Sequence, residues 1–197
     1  MSDFWLYLQL GLEHITDIQG HDHILFILAL IATFSTKDFK YIVWLVTGFT
    51  VGHSITLALS TLDIIPINED FIEMLIPITI LIVCLSNLFN TKDPKNQPHY
   101  LQRNVPFKRY FFEATIFGLI HGMGFSNYLK SLLGSEESIW EPLLAFNVGL
   151  ELGQLAIVTV VMFINAIIMG FTSFTQRDWN IFVTGGAFVS ALIILIG

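Results

Sequence analysis

Charged residues are scarce in this 197-residue chain, where aspartate, glutamate, lysine and arginine together make up 13%. A soluble domain of ordinary composition carries roughly a quarter of such residues. Apolar residues account for 54% of the chain, and its mean hydropathy is +0.69. The shortage of charge therefore argues against a soluble domain and indicates a membrane protein.

Two further shortages narrow the range of functions. Cys84 is the single cysteine, so the chain cannot form an internal disulfide framework. Lysine and arginine number 9 against 16 acidic residues, which gives a formal net charge of −7. This balance offers no basic surface for nucleic acid, and we expect the partners to be the lipid bilayer and a small ligand.

Apolar runs long enough to cross a hydrocarbon core of about 30 Å recur along the chain. Charged residues and turn-forming residues separate them, as is typical of connections between helices. We predict six spans, at residues 20–36, 41–60, 71–90, 111–130, 142–169 and 179–197. The expected fold is an all-α, polytopic membrane helix bundle of about six transmembrane helices, formed by a single integral membrane domain over residues 1–197.

The first predicted span has an unusual beginning. Residues 4–16 form one apolar helical segment and residues 21–36 form another, with the sequence DIQG at 17–20 between them. The two are too long for one straight crossing, whereas the second alone is only about 24 Å long. We therefore predict a break near Gly20 and an initial helix that lies at the membrane interface or dips into the membrane, as in the discontinuous helices of transporters.

Basic residues predict the orientation of the bundle. Eight of the 9 lysines and arginines fall in the first, third and fifth connections or at their edges. Because such residues accumulate on the cytoplasmic side, both termini are expected outside the cytoplasm. The eight are Lys37, Lys40, Lys92, Lys95, Arg103, Lys108, Arg109 and Arg177, and the ninth is Lys130.

Polar side chains gather in the outer half of this predicted bundle. His53 and His121 lie about 15 to 18 Å from the cytoplasmic ends of their spans. Asn147, Glu151 and Gln154 are spaced by four and three residues, which places them on one face of the fifth span. An ionisable residue inside a membrane usually serves a function, so we infer a site at this depth.

The sequence EHITDIQGHDH, residues 13–23, adds a cluster of histidines and carboxylates at the mouth of the first span. Imidazole and carboxylate groups are common ligands of divalent transition metals. We expect an inner group of Asp22, His23, His53 and His121 and an outer, hydrated group of Glu13, His14, Asp17 and His21. The candidate metal ligands are His14, Asp17, His21, Asp22, His23, His53, His121 and Glu151, with Glu13, Ser54, Glu73, Asn147 and Gln154 as supporting residues.

Other interpretations of these residues stay open at this point. His14, His21 and Glu73 could be solvated side chains at the interface, and Asn147 and Gln154 could form hydrogen bonds between helices. Pairs of glycines four residues apart allow helix backbones to approach closely and would bring the polar groups together. These pairs are Gly48 with Gly52, Gly118 with Gly122, and Gly149 with Gly153.

Four segments in order resemble the HupE/UreJ family of small bacterial membrane proteins: GLEHITDIQGHDHILFILAL, FTVGHSITLAL, GLIHGMGF and FNVGLELGQL. The resemblance covers most of the chain. It implies a location in the bacterial inner membrane and a role in supplying nickel or, in some members, cobalt. The sequences HDH and GHS are also similar to two signatures of nickel–cobalt permeases, which implies that His14, Asp22, His23 and His53 bind metal. The first histidine lies eight residues before Asp22, farther than in the permeases, unless His21 or Asp17 takes its place.

Two functions of different classes follow. The favoured one is a permease for a divalent transition metal ion, with nickel and cobalt ahead of zinc, which captures its ion from the outer side. The alternative is a membrane-embedded metalloenzyme in which His23, His53 and His121 hold an ion with an open coordination position. Glu151 or Asp22 would then act as the general base. The inner half of the predicted bundle is poor in polar residues and offers mainly Asn87, Glu113 and Asn165 along an exit path, which argues against transport and keeps the enzyme open. A homo-oligomer or an accessory subunit is compatible with either function.

Overall fold

The computed structural model describes residues 3–18, 20–66, 68–90, 107–133 and 138–197. These residues form eight α-helices and a short 3-10 turn, without any strand. The predicted connection at 91–106, with Lys92, Lys95 and Arg103, lies outside the described residues. The helices are α1 (Asp3–Thr16), α2 (Asp22–Ile31), α3 (Phe39–Thr61), α4 (Glu69–Asn90), α5 (Phe107–Gly124), α6 (Ser126–Leu133), α7 (Trp140–Phe171) and α8 (Gln176–Ile196).

The all-helical membrane fold is confirmed, but the count of six spans stays a prediction. Within the described residues, four segments are long and apolar enough to cross a membrane: Thr36–Thr61, Glu69–Phe89, Trp140–Phe171 and Gln176–Ile196. Helix α2 has only ten residues, or about 15 Å. The predicted span at 111–130 is wrong as one helix, because α5 ends at Gly124 and α6 begins at Ser126.

The break in the first span is confirmed, since α1 ends at Thr16 and α2 begins at Asp22. Helix α1 packs along α7 in a parallel direction: Gly11 faces Phe146, and Gly153 farther along α7 faces Ile15. The end of α2 lies near the start of α8, where the Gln176 amide donates to the carbonyls of Ala32 and Phe34 at 3.2 and 2.8 Å. Helices α1 and α2 therefore cross the bundle in the same direction as α7, as two halves of one discontinuous helix.

Glycines bring α3 and α5 into backbone contact. A Cβ atom built on Gly52 would lie 2.2 Å from the Thr115 carbonyl oxygen, and one built on Gly118 would lie 2.2 Å from that of Phe49. A Cβ at Gly122 would lie 2.3 Å from the carbonyl oxygen of His53. The contacts advance along both helices together, so α3 and α5 are parallel. This close crossing places His53 beside the turn of α5 that carries His121.

Candidate metal centre

Four histidines from four different helices meet beside the break between α1 and α2. His14 lies near the end of α1 and His23 in the first turn of α2, with ring centroids 4.6 Å apart. The His53 ring is 6.0 Å from His14, and the His121 ring is 5.1 Å from His23. His23, His53 and His121 are at most 5% exposed, and His14 is half-buried. The discontinuous helix and the paired α3 and α5 thus position one histidine cluster.

Two groups of three ligand atoms lie within this cluster. One consists of His14, His23 and His53, and the other of Asp22, His23 and His121. In each group the ligand atoms lie within 4.8 Å of one another. Two nitrogens bound to one ion at about 2.1 Å can be at most about 4.2 Å apart. Small side-chain movements would therefore bring either group to a coordinating geometry, and His23 belongs to both.

Buried imidazole nitrogens in the cluster have no hydrogen-bond partner within the described part of the chain. They are His14 Nε2, His23 Nε2, His121 Nδ1 and the nitrogen of His53 that does not face the Asn147 side chain. Leaving a buried polar atom unpaired costs on the order of 1–3 kcal/mol. Such a convergence of unpaired nitrogens is unfavourable in an ordinary core, whereas a bound metal ion would use the lone pairs. The donor set fits nickel, cobalt or zinc.

Asp22 contacts the histidine that the two groups share. Its Oδ1 atom lies 3.2 Å from His23 Nδ1, where an N–H group of the ring can donate to it. Histidines that bind metals commonly donate their second ring N–H to a carboxylate, which fixes the orientation of the ring. This contact leaves His23 Nε2 as the free lone pair. Asp22 can therefore orient His23, in addition to the ligand role expected from its sequence.

His14 differs from its expected place. From the sequence we assigned it to an outer, hydrated group, whereas the structure brings it to His23 and His53. The physical reason is the direction of α1, which enters the bundle along α7 and carries His14 inward. Phe125 and Phe146 enclose its ring, with centroids 4.0 and 5.6 Å away.

The other residues expected in the outer group stay at the surface. Glu13, Asp17 and His21 are exposed and belong to neither ligand group among the described residues. Glu13 and Asp17 line an open depression together with His14, Phe125 and Tyr128. His14 is therefore the histidine of the cluster that borders this depression. Glu73 is also exposed, on the first turns of α4.

Glu151 and Gln154 lie apart from the two ligand groups and join α7 to α3. Glu151 Oε1 accepts a hydrogen bond from Thr47 at 2.6 Å, and Gln154 Oε1 accepts one from Thr50 at 2.8 Å. Thr50 and Thr47 precede His53 by one and two helical turns, so these bonds lie nearer the start of α3 than the cluster does. Interhelical hydrogen bonding, the alternative left open for Gln154, is the contact the structure shows.

Of the remaining supporting candidates, Asn147 lies at the cluster and Ser54 bonds only its own helix. Asn147 lies beside His53 and donates its amide to the Leu143 carbonyl at 2.8 Å. Ser54 donates to the Thr50 carbonyl at 2.6 Å, a bond within its own helix. A residue that sequence reasoning missed is Thr79 in α4, whose Oγ1 lies 3.0 Å from His121 Nε2. No motif around Thr79 signals this contact, which depends on how α4 packs against α5.

Comparison with known sequences agrees with this architecture. Residues 1–196 match the family described as HupE / UreJ protein. Neither curated proteins nor solved structures give a significant match. The match covers essentially the whole chain, including every histidine of the cluster and the helices that carry them. The protein therefore belongs to the HupE/UreJ family.

Proposed function

We propose that the protein is a membrane transporter for a divalent transition metal ion, with nickel or cobalt as its cargo. The observation that carries the proposal is the convergence of four largely buried histidines, each of which has a buried nitrogen without a hydrogen-bond partner in the described residues. Imidazole is a suitable ligand for such ions. The HupE/UreJ family is associated with nickel or cobalt supply, which supports the choice of cargo.

Entry would proceed through the depression that ends at His14. The carboxylates of Glu13 and Asp17 at its rim would attract a hydrated cation and raise its local concentration. Phe125 and Tyr128, which also line the depression, are less polar and would narrow the path of the ion to the cluster. His14 would then be the first imidazole that the ion meets, and His23 would link it to His121.

Polar side chains inward of the cluster favour transport over catalysis. The pairs of Thr50 with Gln154 and Thr47 with Glu151 lie one and two turns before His53, toward the start of α3. Further buried polar residues lie around the start of α8, namely Asn87, Asn165, Asn180 and Thr184. These groups offer oxygen atoms to an ion that leaves the histidines. In the enzyme alternative, Glu151 would be a base that bonds Thr47 and belongs to neither ligand group, so Asp22 beside His23 would be the better placed base.

The proposed orientation places the histidine cluster toward the outer side of the bacterial inner membrane, with both termini extracytoplasmic. The distribution of lysine and arginine supports it. Cys84 is buried, so the background in thiol labelling should be low. A cysteine at exposed Ser138 should react with an impermeant thiol reagent added outside intact cells. One at exposed Lys37 should react only after the membrane is opened, and the reverse pattern would contradict this orientation.

The transport proposal predicts metal accumulation by reconstituted protein. Purified protein in liposomes should take up Ni²⁺ or Co²⁺ faster than protein-free liposomes, and it should retain metal in elemental analysis after gel filtration. Chelation should empty the protein and readdition should refill it. His53→Ala in folded protein is the matched control and should lower both the retained metal and the rate of uptake. Retained metal without uptake would argue for the enzyme alternative.

A further inference from the structure

Thr79 contacts the histidine cluster from α4, a helix that contributes none of the candidate ligands brought together there. It is 2% exposed. Its Oγ1 lies 2.6 Å from the Ile76 carbonyl oxygen and 3.0 Å from His121 Nε2. A carbonyl oxygen can only accept, and a hydroxyl group has one proton to give. The short contact with Ile76 uses that proton, so the Thr79 oxygen is available to His121 as an acceptor.

This arrangement assigns the proton on His121. An acceptor opposite Nε2 stabilises the ring tautomer that carries hydrogen on Nε2, and the lone pair is then on Nδ1. His121 Nδ1 is itself buried and has no hydrogen-bond partner in the described part of the chain. It therefore offers its lone pair to the group formed with Asp22 and His23. His23 has the opposite arrangement, with Nδ1 directed to Asp22 and Nε2 free.

We propose that Thr79 is a positioning residue that holds His121 with its proton on Nε2 and presents Nδ1 to the metal ion. The inference rests on the proposed metal-binding function. The hydroxyl contributes by orienting the ring and excluding the competing tautomer, without touching the ion. Loss of such an orienting partner typically weakens metal affinity by about 10- to 100-fold. Helix α4 thereby becomes part of the site through a single hydrogen bond.

The first test removes the hydroxyl and keeps the shape. Thr79→Val should lower Co²⁺ affinity at least tenfold and change the visible absorption of the bound Co²⁺, which reports ligand geometry. Thr79→Ser, which restores a hydroxyl, should recover both. Thr159→Val is the control, because the Thr159 hydroxyl also donates to a carbonyl of its own helix, that of Leu155 in α7, and belongs to neither ligand group. The control should leave affinity and spectrum unchanged.

A second measurement reads the tautomer directly in metal-free protein. In protein labelled with ¹⁵N-histidine, the His121 signals can be identified by their loss in His121→Gln. Wild-type His121 and the Thr79→Ser variant should have hydrogen on Nε2, and Thr79→Val should lose this preference. A wild-type ring protonated on Nδ1 would overturn the proposal, as would unchanged Co²⁺ affinity in folded Thr79→Val. If wild-type protein bound no Co²⁺, the proposed transport function would be contradicted. The NMR spectrum would still show which tautomer His121 adopts.

Discussion

Replacing His23 with alanine is expected to lower metal affinity at least a hundredfold, about 2.8 kcal/mol, in protein that remains folded. His23 is the histidine common to both ligand groups, so its loss breaks both at once. His14→Ala and His53→Ala each break one group and should lower affinity at least tenfold, or about 1.4 kcal/mol. The measurement is equilibrium dialysis with Ni²⁺ on detergent-purified variants, with thermal unfolding as the test of folding.

Two controls make this prediction specific to the cluster. Glu151→Gln should retain wild-type affinity, because Glu151 bonds Thr47 and lies apart from the ligand groups. His21→Ala should do the same, since His21 is exposed beyond the cluster. If His14→Ala slowed metal capture at low salt and left affinity unchanged, the outer position expected from the sequence would be the correct one.

Adding one methyl group at Gly118 is expected to disrupt the site from a distance. The Cβ of alanine would lie 2.2 Å from the Phe49 carbonyl oxygen, a backbone atom that cannot rotate away. Helices α3 and α5 would have to separate, which should lower the free energy of unfolding by roughly 1–3 kcal/mol, as overpacking typically does. His53 and His121 would move apart with them, so Ni²⁺ affinity should fall at least tenfold. Unfolding in detergent and dialysis against Ni²⁺ measure the two effects.

Gly186→Ala in α8 is the matched control for this substitution. A Cβ at Gly186 would meet nothing within 4 Å in the described residues, and alanine favours a helix over glycine. The control should therefore keep both stability and metal affinity. Equal losses in Gly118→Ala and Gly186→Ala would show that the contact between α3 and α5 is not what positions the histidines.

Much of the helical framework was predictable because its signals are local. The length of an apolar run and the charged residues at its ends depend only on neighbouring positions, so α3, α4, α7 and α8 were predicted to within a few residues. The break near Gly20 was predictable for the same reason, since two apolar segments flank a polar tetrapeptide. The end of α5 at Gly124 was missed, because apolar residues continue past the turn into α6 and no polar residue marks the end of the helix.

The candidate ligands were also visible in the sequence, because histidine and carboxylate side chains are conspicuous among apolar residues. Which of them meet was decided by the tertiary structure. His14 and His21 are seven residues apart and equally polar, yet the parallel packing of α1 on α7 carries His14 inward and leaves His21 exposed. That packing depends on glycines whose partner helix the sequence does not specify.

The partners of Glu151 and His121 also show what the sequence determines and what only the tertiary structure decides. The sequence by itself determined that a carboxylate lies within an apolar helix and that a histidine lies between two glycines of another, Gly118 and Gly122. Only the tertiary structure decided that Glu151 bonds Thr47 and that His121 faces Thr79. Spacing along one helix defines a face, but the rotation and register of the neighbouring helix decide what that face meets. These depend on packing across the whole bundle, where contacts join residues 104 positions apart, as between Thr47 and Glu151.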